Sequence, residues 1–253
     1  MRLLRACLAL IGLSFRRLWW STNTLMLCFP LLGCGLFVLA ATFRRQAYSG
    51  SQGFERFTED VVLVLFSTFL LPIIALAYGT SSIGGDREDR TLLFLLMRPI
   101  PRSMILVSKY LATLPLVLGL TMGSFACYCG MAGSAGREAF FAFWQPILYL
   151  SLAYTSLFHL FSVFFRHATI LALIYSLFME WMLGAMPGVI KRLAVNFYGR
   201  SMMIELGNLD VPPNVLFAPV SAEIGAYSLW GITLGGLLLS IIAFGSREYH
   251  DLT

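Results

Sequence analysis

The sequence predicts an all-α integral membrane protein: six transmembrane helices, an amphipathic N-terminal helix lying at the interface, and a short cytoplasmic helix between the second and third spans. Three observations predict it. Hydrophobic residues make up 58% of the 253 and charged ones only 12%, against roughly half and about a quarter in soluble domains. Apolar runs of about 20 residues, the length a bilayer core requires, recur along the chain. The 18 Lys and Arg, which give a formal charge of +5, stand in short groups between those runs, a pattern of membrane orientation and not of nucleic-acid binding. One bundle is expected over 1–253, with 21 Phe, 10 Tyr and 5 Trp facing lipid and one another.

At the N-terminus, residues 1–21 form the interfacial helix. Read as a helix, 2–20 places Leu4, Leu8, Ile11, Phe15 and Leu18 on one stripe, with Arg2, Arg5 and Arg16 off it. The basic side and the pair Trp19 and Trp20 suit the headgroup layer of an anionic leaflet. The segment superficially resembles a secretory signal, but no small-residue cleavage site follows and Arg16 and Arg17 lead straight into a full-length apolar run.

Spans are predicted at 23–43, 60–80, 105–131, 144–165, 168–187 and 224–244. An even number puts both termini on one side. With the termini in the cytoplasm, eleven of the 18 basic residues fall on the cytoplasmic side and seven opposite, the expected sense of the bias. A multi-pass protein of the cell (inner or plasma) membrane follows. Two connections are long, 81–104 inside and 188–223 outside; the outer one contains Pro212, Pro213 and Pro219 and is expected to hold a short helix at the outer surface. The fourth and fifth spans are joined at Arg166 and His167 by almost nothing and should form a tight hairpin.

Catalytic patterns fail in turn. A P-loop needs G-x-x-x-x-G-K-[ST], so that backbone amides and a lysine surround the phosphates; the two lysines, Lys109 and Lys191, follow Ser108 and Ile190. Any ATP-driven work therefore requires a partner, and no cofactor is expected on this chain. His159, His167 and His250 form no zinc pattern. The five cysteines, Cys127 and Cys129 included, lie in or beside apolar segments and read as small apolar filler. Ser124 and His159 are the single pair that an intramembrane serine hydrolase would use, and neither has a motif around it.

The densest polar cluster is Asp86, Arg87, Glu88, Asp89, Arg90 and Thr91, followed by apolar Leu92 to Met97 and then Arg98, Pro99, Pro101 and Arg102. A charged start, a short helix and a double-proline stop describe a small helix at the cytoplasmic face. Its apolar side, with Leu92 and Leu95, either docks into a groove on a soluble partner or lies at the interface of a solvated loop. Glu180 is the ionisable residue placed well inside a predicted span, a costly position that marks functional sites. Two readings compete for it: lining a path or binding a cation, or pinning its helix end by pairing with Arg192, Arg200 or a tyrosine. Two G-x-x-x-G spacings, Gly119 with Gly123 and Gly231 with Gly235, allow close helix contact within the bundle or between two chains.

The stretch Tyr78 to Lys109 resembles the first cytoplasmic loop of type-2 ABC exporter permeases: an acidic and basic cluster, Thr91-Leu92 and a leucine run, a Pro99-x-x-Arg102 turn, and Lys109 opening the next span. Arg90 stands where those proteins carry glycine. More weakly, the entry helix, the six spans, Glu180 followed by Pro187, and the closing Arg247 to Tyr249 fit the same family. The resemblance implies a permease that does no covalent chemistry itself. It implies two such chains, identical or not, around a path, and a separate cytoplasmic ABC ATPase that binds the ATP and Mg. It makes the loop helix a coupling helix, with Asp86 to Thr91 and Leu92 to Arg102 as the coupling contact and Glu180 near the outer gate. The apolar, aromatic-rich spans suit an amphipathic cargo better than a free ion.

Overall fold

The computed structural model describes residues 2–43, 48, 52–89, 91, 97, 101–182, 190–209 and 219–246, without the side chains of 2–4, 6, 88, 179–182 and 190. Among these residues five helices are long and apolar enough to cross a membrane. The first is α2 (Thr22–Phe43), preceded by α1 (Arg2–Trp19). The second is a continuous rod made of α3 (Gly53–Phe57), a wide-turn stretch Thr58–Leu70, α4 (Leu71–Ser81) and, after a brief turn, α5 (Gly84–Glu88). Then come α6 (Arg102–Met131), α7 (Ser134–Phe164) and, last in the chain, α10 (Ala222–Ser246).

Where the sequence expects a fifth span over 168–187, the described part is the short α8 (Ala168–Ile174) continued by a wide turn, Tyr175–Met182. Its apolar portion is 11 residues, Ala168–Phe178, and the remainder of that span lies outside the described residues. The hairpin ahead of it is as tight as expected, since only 165–167 separate α7 from α8.

Lipid-facing surface is written on the outer helices. On α2, Leu25, Phe29, Leu32 and Leu36 are each 65–80% exposed along one stripe, while Leu27, Cys34 and Val38 face inward. An exposed stripe of that kind suits contact with lipid and not with water. The core lies around α7, which touches α3, α4, α6, α8, α9 (Val195–Leu206) and α10; Leu150, Ala153, Tyr154 and Phe158 on it are fully buried.

The wide-turn stretch in the second span has a local cause. Pro72 has no N–H to give to the carbonyl four residues back. The chain accommodates it by widening its turns: the Leu71 amide bonds to the Phe66 carbonyl, five residues back, and the Thr68 hydroxyl to the Leu63 carbonyl at 2.8 Å. Pro30, Pro115 and Pro146 sit inside other spans, where neighbouring helices tolerate such breaks.

Three expectations gain detail from the packing. The first concerns the connection 188–223, which holds α9 (Val195–Leu206) after a 3-10 turn, Ile190–Leu193. The expected short helix is present, and it packs against α7 and α10, burying Val195, Phe197, Met202 and Met203. Gly199 permits the approach, because a Cβ there would meet Leu150 Cδ1 at 2.6 Å. The second concerns the G-x-x-x-G glycines: Gly119, Gly123, Gly231 and Gly235 have no described atom of another element within 4 Å of a Cβ position. Of the two readings, contact inside the chain is therefore not the one they serve among the described residues, and contact between two chains stays open. Close contact inside the chain falls instead to Gly79, Gly199 and Gly236. The third concerns α1, in which Leu10 and Leu18 are buried among the described side chains, whereas Leu8 and Leu13 are 60% and 69% exposed. The helix packs on α6 and α2, so one flank of its apolar surface is covered by protein.

Candidate functional site

The charged cluster lies at the end of the bundle where α4 gives way to α5 and α6 begins, the loop end. Asp86 to Glu88 do not open a new helix. They close the rod of the second span as α5, and the Thr91 amide turns back to the Asp86 carbonyl at 2.9 Å. The short helix expected over Leu92 to Met97 lies outside the described residues, apart from Met97, which is exposed.

Asp86 is the centre of the arrangement. Its carboxylate points into the protein, 2% exposed, and forms ion pairs with Arg17 from the end of α1 and with Lys109 from α6. Lys109 is itself nearly buried, and its Nζ also donates to the Ser82 carbonyl at 2.9 Å. Two opposite charges withdrawn from water need this degree of pairing and hydrogen bonding to be tolerated. Arg17 spans both acids, since its second nitrogen pairs with Asp89, which is 60% exposed. The loop is thereby fastened to the first helix and to the third span at once.

Further ties complete the site. The Ser82 hydroxyl and His159 Nδ1 on α7 share a hydrogen bond at 2.7 Å, and both residues are buried. Arg87 donates to the Phe165 carbonyl at 3.0 Å and the Val163 carbonyl at 3.4 Å. Those carbonyls lie at the end of α7, where a guanidinium complements the helix dipole. Arg102 makes a longer contact of the same type, 3.5 Å to the Gly245 carbonyl near the end of α10. Asn23 at the start of α2 donates to Ser81 Oγ at 2.6 Å.

A polar cleft of about 680 Å³ opens here, with Arg17, Trp20, Asn23, Ser82, Asp86 and Lys109 among its lining residues. A second, apolar cleft of about 500 Å³ lies between the wide-turn stretch of the second span and Leu173, Ser176 and Leu177. Among the described residues no three of His, Cys, Asp or Glu converge as metal ligands. Ser124 is not brought to His159: its hydroxyl donates to the Leu120 carbonyl of its own helix at 2.6 Å, and His159 is held by Ser82.

Of the residues singled out from sequence, Asp86, Arg87, Asp89, Thr91 and Arg102 gather at the loop end. Arg90, Leu92, Leu95 and Arg98 lie outside the described residues, as does the side chain of Glu88. Glu180 has its backbone in the wide turn Tyr175–Met182 and its side chain outside the described residues. Sequence reading counted Arg17 only as an orientation charge and missed Ser82 and the Ser82–His159 bond. The one signal available for the pair was a histidine inside an apolar span, which must find a polar partner.

A helical bundle with apolar outer faces and five membrane-length helices among the described residues is the architecture of a multi-pass membrane protein. The model of the ABC-2 family transporter proteins matches residues 14–242, and the chain belongs to that family. It is 36% identical over 103 residues to the probable ABC transporter permease protein NosY of Stutzerimonas stutzeri, a match covering 40% of this chain and 35% of that protein. It is 37% identical over 86 residues to the probable ABC transporter permease protein NosY of Pseudomonas aeruginosa, covering 34% and 30%. The chain thus spans about a third of the length of these curated relatives.

Proposed function

We propose that the chain is the permease subunit of an ATP-driven ABC transporter, a single transmembrane domain that moves its substrate outward by alternating access. Two such chains enclose the path, and separate cytoplasmic ATPase subunits bind the ATP and Mg. The termini and the loop end face the cytoplasm of the cell that holds the protein in its inner or plasma membrane. Leu92 to Arg102, with the exposed Asp89 and Thr91, contact the ATPase, and Glu180 lies near the outer gate. Closure of the ATPase dimer pushes the loop, and the helices move as rigid bodies.

The observation that carries this reading is the burial of Asp86 between Arg17 and Lys109. A loop that merely links two spans has no need to be ion-paired to two other elements. A loop that takes load from a partner does, because slack at its root would dissipate the displacement. Family membership points the same way.

The test is purification of the tagged chain in nanodiscs, followed by mass spectrometry and an ATPase assay on what accompanies it. The expected result is a stoichiometric P-loop ATPase whose hydrolysis the chain regulates, with that regulation lost in Leu95→Asp. An ATPase that binds but is indifferent to the chain would instead make this protein an anchor or assembly factor, and recovery of the chain alone would remove the assignment.

A further inference from the structure

We infer that the fourth span, α7, is the element the loop drives, and that the buried Ser82–His159 bond is the joint between them. The inference rests on the permease reading above and adds to it the route by which displacement at the loop reaches the membrane interior.

Ser82 occupies the turn between α4 and α5, at the root of the loop, and is held from two sides. Its carbonyl accepts from Lys109 of α6 and its hydroxyl bonds to His159 of α7. The hydroxyl also lies 2.9 Å from the Gly79 carbonyl. It has one proton for two neighbours, so when that proton goes to Gly79 the imidazole Nδ1 is the donor. His159 is fully buried, with the Tyr110 ring packed edge-on at 5.5 Å, so the bond cannot be exchanged for water and its loss leaves a polar group in an apolar surrounding. Just above, α4 and α7 are in direct contact at Gly79, where a Cβ would come within 2.9 Å of Phe158 Cβ. Arg87 fastens the same loop to the end of α7.

From His159 the route continues along a rigid helix. One turn away, the Ser156 hydroxyl donates to the Thr233 carbonyl of α10 at 2.7 Å, and Gly236 brings α10 close enough that a Cβ there would meet Ser156 Oγ at 2.5 Å. Farther along, Ser151 donates to Thr121 Oγ1 of α6 at 3.3 Å. Movement of the loop is thus delivered to α7 through Ser82 and His159 and from α7 to α10, beside the direct tie of Arg102 to the Gly245 carbonyl of α10. His159 is a positioning residue, since it acts by holding Ser82.

The experiment compares hydrogen exchange with and without a non-hydrolysable ATP analogue in the complex of this chain with its co-purified ATPase. In wild type, both 82–89 and 150–164 are expected to change on nucleotide binding. In Ser82→Ala, the response of 150–164 should fall at least five-fold while 82–89 still responds and the ATPase still co-purifies. His159→Leu should match it, and His159→Asn, which keeps a donor near the Nδ1 position, should recover most of the response. Ser82→Ala removes one oxygen and leaves the fold testable even where His159→Leu fails to assemble. A responsive 82–89 with an undiminished response of 150–164 in Ser82→Ala overturns the joint and leaves the permease reading intact. Wild type that brings down no ATPase overturns both.

Discussion

Lys109 on α6 and Asp86 on α5 form an ion pair whose side chains are 6% and 2% exposed, at the edge of a membrane-spanning bundle. Breaking a buried pair from one side strands the other charge and costs about 3–5 kcal/mol. Asp86→Asn should therefore destabilise the chain by roughly 3 kcal/mol, because Lys109 keeps only the Ser82 carbonyl. Adding Lys109→Met should restore most of the loss, since the stranded charge is then gone. Thermal unfolding in a single detergent checks both, and a double variant no more stable than Asp86→Asn would contradict the pairing.

Arg17 is half exposed, and its pairs with Asp86 and Asp89 should add little to overall stability. Reversing its charge is a different matter, since three carboxylates would then face one another. Arg17→Asp is expected to release α1 from the loop, seen as faster proteolysis within 2–20, while Arg17→Lys stays close to wild type. Equal cleavage of all three proteins would show that α1 is held by other contacts.

Glycine positions give a contrast within one helix type. Alanine is favoured over glycine in a helix interior by about 1 kcal/mol, and Gly123 has open space around it. Gly123→Ala should thus be neutral or stabilising. Gly79→Ala instead drives a methyl into Phe158 Cβ and the Thr155 carbonyl, at 2.9 and 3.4 Å, and should cost about 1–3 kcal/mol by overpacking. Melting temperatures of the two variants decide the point.

Away from the loop end, Asn196 on α9 donates to Thr68 Oγ1 at 2.8 Å and is 2% exposed. Removing that donor takes one hydrogen bond from the partly buried Thr68 hydroxyl, worth about 0.5–1.5 kcal/mol. Asn196→Leu should speed hydrogen exchange over 195–206 and leave the loop end, at 82–89, unchanged. A uniform increase along the chain would mean that α9 does not open separately.

Much of this architecture was legible in the residues. Apolar run lengths give the first, third and last spans closely, and the interruption at Arg166 and His167 gives the short link between α7 and α8. The loop motif from Tyr78 to Lys109 led to the family that residues 14–242 match. The G-x-x-x-G spacing was visible too, but it pointed to glycines that face outward. Spacing says that small residues share a helix face and says nothing about what that face meets.

The sequence by itself determined that this chain must live in a membrane, because its apolar side chains exceed what one core can hide and its charges, Glu180 apart, lie at or near the ends of apolar runs. It also determined that no P-loop lies here, since neither lysine stands in the required pattern. Tertiary structure alone decided which polar groups meet. Asp86 and Lys109 are 23 residues apart, Ser82 and His159 are 77 apart, and Ser156 and Thr233 are again 77 apart. Local propensity carries no information over such distances. The pairings follow from the cost of leaving buried polar groups unsatisfied once the helices pack, and packing sets the helix rotations that bring those groups together.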